Sequence, residues 1–299
     1  MGGTKLRAAL VTGDGKILES ATAPVDQHGG VNGLIALFDE VAGRLPRTKY
    51  KAVSVASAGP LHAGRGVLLD PTNFFTDMKS WGVVPLVARL KKVFKKPVYL
   101  ENDAAAAVLG EAWKGGHGKG AKNLLAMTLG TGVGIGIIAN GELVRAGRGL
   151  HTEVSHMPIK AGDKNYPCGC GAYGCIEAFL GGTLFAKRMS ARVGRSLTGR
   201  EFVAMAKEGD VPIQASFREY GRDLAQAIRS LCVSFAPEVV VLSGGFSHAS
   251  ALFLPDTEKT LPTLMERYRE GIDLLPKVKV SRLQDDAGIL GAAYLAGHR

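Results

Sequence analysis

The sequence has no apolar run long enough to cross a membrane. Its longest runs, such as Val239–Leu242, fall far short of the roughly 20 apolar residues that a membrane helix needs. The N-terminus has no signal-peptide cleavage pattern, so we expect a cytoplasmic protein without a membrane partner. Signatures of zinc fingers, RNA-binding modules and an N-terminal helix-turn-helix are also missing, so we expect no nucleic-acid partner.

Cysteine is scarce, with four in the chain, yet Cys168, Cys170 and Cys175 crowd into one glycine-rich stretch. Cys232 stands apart in an apolar helical pattern and is expected to be an inert core thiol. Clustered cysteines in a cytoplasmic chain favour a metal over a disulfide. Together with His156 they offer three thiolates and one imidazole, a complete tetrahedral set for structural Zn²⁺ with no position left for water. The alternative is a loop of unligated thiols.

Length and charge set wider limits. The chain has 299 residues, 46% of them hydrophobic and 21% charged, which is a normal globular balance for one large domain or two ordinary ones. The net charge of +10 is explained either by a solvated basic surface or by attraction of polyanions such as nucleotide phosphates.

Strand and helix patterns alternate along the chain, which predicts an α/β fold. Gly115–Gly120 interrupts the alternation and is a candidate domain boundary. The predicted strands are Leu6–Val11, Ile17–Ala21, Ala52–Ala56, Val98–Leu100, Leu124–Leu129, Val133–Ala139, Val239–Leu242 and Val278–Val280. The predicted helices cover Val31–Leu45, Val84–Phe94, Ala104–Trp113, several segments between Glu177 and Phe235, and Ala287–Ala296.

Two glycine loops, Gly2-Gly3-Thr4 and Gly130-Thr131-Gly132, lie beside apolar strands, and Gly244-Gly245 follows a third strand. Glycines let backbone amides approach an anion closely, and a threonine hydroxyl can add a hydrogen bond to phosphate. Neither Gly-Thr loop matches a P-loop or a dinucleotide fingerprint. The two loops suggest a nucleotide held between two lobes, although each alone could be a hairpin turn.

Carboxylates provide the candidate chemistry. Glu101-Asn102-Asp103 lies at a strand-to-helix junction, where Asp103 could accept the proton of an attacking hydroxyl and Asn102 could bind a neighbouring hydroxyl. The alternative is a simple helix N-cap, and both roles are compatible. Glu153 and Glu177 flank the proposed zinc ligands and could bind sugar hydroxyls, or they could be surface charges.

These motifs together resemble the ROK family (repressor, open reading frame, kinase) over nearly the whole chain. The cysteine motif from Cys168 to Glu177 is the most specific part, and Glu153 with His156, Glu101-Asn102-Asp103 and the glycine loops match in combination. The resemblance implies an actin-like (ribonuclease H-like) two-lobe ATPase fold with a cleft. It places residues 1–117 and 287–299 in a smaller lobe and residues 118–286 in a larger one. It also implies a homodimer that phosphorylates a hexose at its 6-hydroxyl, with glucose as the first choice of substrate.

The resemblance implies the following roles. Asp103 is the general base, and ATP with Mg²⁺ and structural Zn²⁺ are the cofactors. The sugar ligands are Asn73, Asn102, Asp103, Glu153, His156 and Glu177; the nucleotide ligands are Gly3, Thr4, Lys5, Thr131, Gly132, Gly244 and Gly245; the zinc ligands are His156, Cys168, Cys170 and Cys175.

Departures from the family pattern keep alternatives open. The family has a strand and an aspartate before the first glycine loop, whereas this sequence starts at Met1. Either the true gene starts upstream, or the lobe is compromised and the protein is a catalytically impaired sugar-binding protein. A sugar-responsive transcriptional regulator would carry an added N-terminal DNA-binding segment, which we do not expect. Thr152, Ser155 and Ile135 replace glycines and could alter the sugar loop and the second glycine loop.

Overall fold

A computed structural model of the chain describes residues 1–26, 28–46, 50–71, 75–76, 79–266 and 273–298. It forms two compact units. The first contains Met1–Gly120, Leu143–Thr152 and the C-terminal segment from Asp285, and the second contains Ala121–Glu142 and Glu153–Gln284. The sequence analysis placed 143–152 in the larger lobe. In the structure this segment belongs to the first unit, where Leu150 pairs with His62.

The strands have the following bounds in chain order. They are β1 (Lys5–Val11), β2 (Ile17–Pro24), β3 (Val53–Ser57), β4 (Leu61–His62), β5 (Val67–Leu69), β6 (Phe75–Thr76), β7 (Lys79–Ser80), β8 (Val83–Val84), β9 (Val98–Asn102), β10 (Leu124–Leu129), β11 (Val133–Ala139), β12 (Glu142–Leu143), β13 (Val239–Ser243) and β14 (Lys277–Val280).

The α-helices and short 3₁₀ turns follow the same order. The helices are α1 (Gly30–Gly43), α2 (Leu86–Phe94), α3 (Asp103–Lys114), α4 (Ile176–Leu180), α5 (Gly182–Val193), α6 (Gly199–Lys207), α7 (Val211–Phe235), α8 (Leu254–Met265) and α9 (Ala287–Gly297). The 3₁₀ turns are Gly147–Gly149, Val154–His156, Gly245–Leu252 and Gln284–Asp286.

In the first unit, β1 and β2 form an antiparallel hairpin and β3 pairs with β9 in parallel. The parallel register ends at Ser57 opposite Asn102, immediately before α3 begins. Helices α3 and α9 touch at backbone distance, because a Cβ added at Gly291 would lie 1.6 Å from the carbonyl oxygen of Ala106. The start of α3, which carries Asp103, therefore rests on a closely packed scaffold.

In the second unit, β11, β10, β13 and β14 lie side by side in that order, and β12, of which Glu142 belongs to this unit, pairs with β11. Strand β10 pairs antiparallel with β11 and parallel with β13, and all five residues of β13 are buried. The parallel register ends with Thr128 opposite Ser243. Consequently the Gly130-Thr131-Gly132 loop after β10 and the Gly244-Gly245 pair after β13 lie at the same edge of the sheet, a common place for ligands in α/β folds.

One predicted boundary is wrong in an informative way. The helix predicted from Val84 begins at Leu86, because Val83 and Val84 form β8 and pair with Leu69 and Leu68 of β5. Strand pairing thus overrides the local helical pattern.

Within the described residues, the structure contains no helix that is both long and apolar enough to span a bilayer.

Candidate functional site

The most specific feature of the second unit is a cluster of one imidazole and three thiols. The ligand atoms of His156, Cys168, Cys170 and Cys175 all lie within 4.8 Å of one another. Nδ1 of His156 is 3.4 Å from Sγ of Cys168, and the Sγ atoms of Cys170 and Cys175 are 3.8 Å apart. Tetrahedral zinc with Zn–S bonds of about 2.3 Å and Zn–N bonds of about 2.0 Å requires S···S and S···N separations of about 3.8 and 3.5 Å. The donor atoms therefore fit Zn²⁺.

The cysteine loop owes its shape to close backbone contacts. Gly174 has φ +76°, and a Cβ there would lie 1.8 Å from the carbonyl oxygen of Lys160, so the position requires glycine. Its amide donates a hydrogen bond to the carbonyl oxygen of Tyr166, and the amide of Cys168 donates one to the carbonyl oxygen of Ala172. These bonds hold the cysteines in one tight turn.

An aromatic and cationic layer supports the loop from α4 and α5. The ring of Tyr166 stacks on Phe179 with centroids 3.9 Å apart, and the guanidinium of Arg188 lies 4.9 Å from the Tyr166 ring centroid. Arg188 also donates to the carbonyl oxygens of Ala178 (2.5 Å) and Phe179 (2.6 Å). The sequence analysis missed Arg188, because its partners are carbonyl groups that no sequence pattern marks.

The thiols differ in acidity. Burial raises the pKa of Cys168 to about 12 and also raises the pKa of Cys175. Burial acts the same way at Cys170, but hydrogen bonds from the Ala172 amide and from the other two thiols lower its pKa overall. Because metal ligation needs thiolates, Zn²⁺ binding must displace protons from this cluster.

His156 presents its two ring nitrogens to different partners. Nδ1 faces the thiols, whereas Nε2 lies 3.8 Å from Oε2 of Glu153. Glu153 directly precedes the 3₁₀ turn Val154–His156, and its side chain is 51% exposed. The carboxylate is thus positioned beside the imidazole and remains accessible to a ligand.

Glu177 links the cysteine loop to the second glycine loop. Its Oε2 accepts a hydrogen bond from the amide of Val133 at 3.0 Å, and its Oε1 lies 3.7 Å from Sγ of Cys168. The fit is tight, since a Cβ added at Gly132 would lie 2.4 Å from Oε2. The sequence analysis assigned Glu177 to the sugar, and the structure adds this contact with the loop.

The second glycine loop has further backbone supports. The amides of Gly182 and Thr183, at the start of α5, donate to the carbonyl oxygens of Gly130 (2.8 Å) and Thr131 (3.1 Å). Gly244 follows β13 with φ +83°, and a Cβ there would lie 2.5 Å from the carbonyl oxygen of Leu129. Thr131, Gly132, Gly244 and Gly245 are therefore brought to one edge of the sheet. Ile135 does not disturb this arrangement, because it is buried and the β10–β11 register is continuous.

In the first unit, the first glycine loop lies near the strand-to-helix junction. The Met1 ammonium donates to the carbonyl oxygen of Ala56 at 2.5 Å, and the Met1 carbonyl accepts from the amide of Ala58. Because Ser57 lies between these two partners and pairs with Asn102 in the β3–β9 register, the start of the first glycine loop lies near the Asn102-Asp103 junction.

The junction itself has the geometry of a capped helix start. Oδ1 of Asn102 accepts from the amides of Ala104 (3.0 Å) and Ala105 (3.1 Å), so the predicted N-cap is present. Asp103 is the first residue of α3; its Oδ1 accepts from the amide of Ala104 at 2.8 Å, and the residue is exposed. Its carboxylate is held in place and is accessible, as a general base must be.

Two further points complete the placement of the predicted residues. Asn73 lies outside the described residues. The buried carboxylate of Glu101 forms an ion pair with Arg145, to which the sequence analysis gave no role. A buried glutamate before a candidate catalytic aspartate signals a cationic partner, but it does not identify which residue supplies the charge.

Comparison with known proteins places these motifs in one family. The ROK family model matches residues 1–299. The glucokinase of Thermotoga maritima is 32% identical over 100% of this chain and 96% of its own length. The ROK hexokinase structure from Thermus thermophilus (30% identity, TM-score 0.81) and a Streptomyces griseus ROK glucokinase in complex with glucose and AMPPNP (27%, 0.81) each align over 99% of this chain and 96% of their own. These likenesses confirm the expected α/β, actin-like ATPase fold. The chain belongs to the ROK family.

Proposed function

We propose that the protein transfers the γ-phosphoryl group of ATP to the 6-hydroxyl of a hexose, with glucose as the preferred substrate. The observation that carries the proposal is Asp103, an accessible carboxylate at the start of α3, near the β3 residues to which the start of the first glycine loop is hydrogen-bonded. Glucokinase relatives that match the full chain support the reaction class. Asp103 accepts the proton of the 6-hydroxyl as this oxygen attacks the γ-phosphorus.

Amide, carboxylate and imidazole groups bind the sugar. Asn102, Glu153 and His156 bind its hydroxyls, with Glu177 and Asn73 completing the set. Nε2 of His156 is the nitrogen assigned to the sugar, since Nδ1 faces the thiols. Carboxylates and amides are suitable partners because each can accept hydrogen bonds from hydroxyls at defined positions.

Backbone amides and small side chains bind the nucleotide. The phosphate ligands in this proposal are Gly3, Thr4, Lys5, Thr131 and Gly132. Gly244 and Gly245 bind next to them at the end of β13. Mg²⁺ accompanies the phosphates and offsets their charge. Phosphoryl transfer of this kind depends mainly on positioning and electrostatic stabilisation, which such loops supply.

Structural Zn²⁺ is held by His156, Cys168, Cys170 and Cys175. When bound, it cross-links the cysteine loop to the 3₁₀ turn that follows Glu153. The ion has no catalytic role in this proposal, because four protein ligands leave it no open position. Metal analysis of the purified protein should find one zinc per chain, and a chain free of zinc would contradict the assignment.

A coupled assay of ATP-dependent phosphorylation tests the function. Glucose, fructose, mannose, N-acetylglucosamine and N-acetylmannosamine form the panel, and glucose should give the highest kcat/KM. Asp103→Ala should lower turnover by about 10²–10⁴-fold while calorimetry still detects glucose binding. Asp39→Ala, at an exposed aspartate on α1, is the matched control.

Two alternatives give different results in the same experiments. A catalytically impaired sugar-binding protein would bind glucose without forming ADP, and a sugar-responsive regulator would change its DNA affinity with sugar. Light scattering of the purified protein tests the homodimer that the family resemblance implies, and cell fractionation tests the cytoplasmic location.

A further inference from the structure

The strand that leads to Asp103 carries a buried charge. The Glu101 side chain has 0% exposure and forms a two-pronged ion pair with Arg145. Nη1 of Arg145 lies 3.1 Å from Oε1 of Glu101, and Nη2 contacts Oε2. Oε1 also accepts a hydrogen bond from the amide of Asn102 at 3.0 Å. Both oxygens of the carboxylate are thus partnered.

Stability alone does not explain this pair. The Glu101 carboxylate is fully buried whereas the Arg145 side chain is 32% exposed, so the pair includes the cost of burying a carboxylate without being a fully buried ion pair. The paired fork of an arginine fixes geometry in a way that a point charge does not. A pair of this kind, placed two residues before Asp103, is suited to fixing where the strand ends.

Arg145 sits on a short hairpin that belongs to the first unit. It pairs antiparallel with His151, and the amide of Ala146 donates to the carbonyl oxygen of Leu150 at 3.0 Å. Leu150 in turn pairs with His62, so the hairpin is attached to the same unit as β9. The backbone that carries Arg145 is therefore anchored within the same unit as Glu101.

We propose that Arg145 is a positioning residue that acts through Glu101 on the general base. Arg145 fixes the Glu101 carboxylate, and this carboxylate accepts from the amide of Asn102. Asn102 caps α3, whose first residue is Asp103. This chain of contacts sets the position of the Asp103 carboxylate relative to the attacking hydroxyl. The inference rests on the proposed role of Asp103.

The test compares Arg145→Met, Arg145→Lys and the double variant Glu101→Gln/Arg145→Met with the wild type. Since a 1 Å misplacement can cost about 100-fold in rate, Arg145→Met should lower kcat by about 10–100-fold. The KM values for glucose and ATP should stay within about threefold. Arg145→Lys keeps the charge without the planar fork and should fall between. Arg148→Met, an exposed arginine of the same hairpin, should leave kcat unchanged.

The double variant separates positioning from folding. Arg145→Met alone leaves the Glu101 carboxylate buried without its cation, so its melting temperature should drop. Glu101→Gln removes that charge, so the double variant should regain the melting temperature but not kcat. A double variant with both restored, or a folded Arg145→Met with wild-type kcat, would overturn the inference.

The same measurements distinguish failure of the positioning role from failure of the proposed function. A wild type without glucose-dependent ADP formation, or an Asp103→Ala variant that keeps wild-type turnover, would remove the general base on which the inference depends. If Asp103→Ala abolishes turnover while Arg145→Met does not lower it, the proposed function stands and the positioning role is wrong.

Discussion

The hydrogen bond between the Glu177 carboxylate and the Val133 amide gives a quantitative prediction about nucleotide binding. Glu177 lies just after Cys175 on the chain, yet its Oε2 accepts from a glycine loop assigned to the phosphates. A hydrogen bond to a charged group contributes about 1.5–3 kcal/mol. Each 1.4 kcal/mol corresponds to about tenfold in affinity. Glu177→Ala should therefore weaken binding of an ATP analogue by about 10–100-fold.

Two further variants make the effect graded. Glu177→Gln keeps an oxygen acceptor but loses the charge, and neutral hydrogen bonds contribute about 0.5–1.5 kcal/mol, so the expected loss is about fivefold. Gly132→Ala would place a Cβ 2.4 Å from Oε2 of Glu177 and should displace the carboxylate. Its effect should not add to that of Glu177→Ala, because both remove the same contact.

Isothermal titration with a non-hydrolysable ATP analogue, in the absence of sugar, measures this effect directly. Glu153→Ala is the control, since Glu153 is assigned to the sugar alone and should leave nucleotide affinity unchanged. Zinc content must be measured in parallel, because Glu177 lies 3.7 Å from Sγ of Cys168. A zinc-loaded Glu177→Ala protein that binds the analogue within twofold of wild type would refute the link.

The remaining predictions concern packing and the cysteines. Gly291→Ala should lower the melting temperature by about 2–12 °C, because its Cβ would lie 1.6 Å from a carbonyl oxygen of α3 and overpacking costs about 1–3 kcal/mol. Gly288→Ala on the same helix meets nothing within 4 Å and should melt at or above the wild-type temperature. Cys170→Ser should lose bound zinc, whereas Cys232→Ser should keep it. Burial raises the pKa of Cys232 to about 12, so iodoacetamide at pH 8 should label this thiol only after denaturation. Labelling of the native protein at Cys232 would show that the thiol is accessible.

The sequence predicted the elements whose signals are local. Strands β10 and β11 have the predicted bounds Leu124–Leu129 and Val133–Ala139, because two apolar runs separated by the short Gly130-Thr131-Gly132 turn specify a hairpin without help from distant segments. Asn102 caps α3 for the same reason: the side chain and its two amide partners lie within three residues. Local hydrogen bonds of this kind can be read from residue order.

Features that depend on distant contacts were not predictable. The segment Leu143–Thr152 lies between two stretches of the second unit in sequence, and its membership of the first unit depends on pairing with His62 and on the Arg145–Glu101 ion pair. That pair joins residues 44 positions apart. Many arginines in a basic chain could have supplied the charge, so a buried glutamate alone did not identify its partner.

The spacing of the cysteine motif predicts the metal ligands but does not predict the contact that Glu177 makes. Tight turns and glycines restrict Cys168, Cys170 and Cys175 to one small loop, so their convergence with His156 follows from ligand chemistry. The reach of Glu177 does not follow from spacing, because Val133 is 44 residues away and is met only through the tertiary packing of α4. Since α4 begins directly after Cys175, anything that anchors this cysteine also anchors the carboxylate that holds the glycine loop. A structural metal in the cysteine loop would therefore stabilise the nucleotide side of the second unit as well as the sugar side.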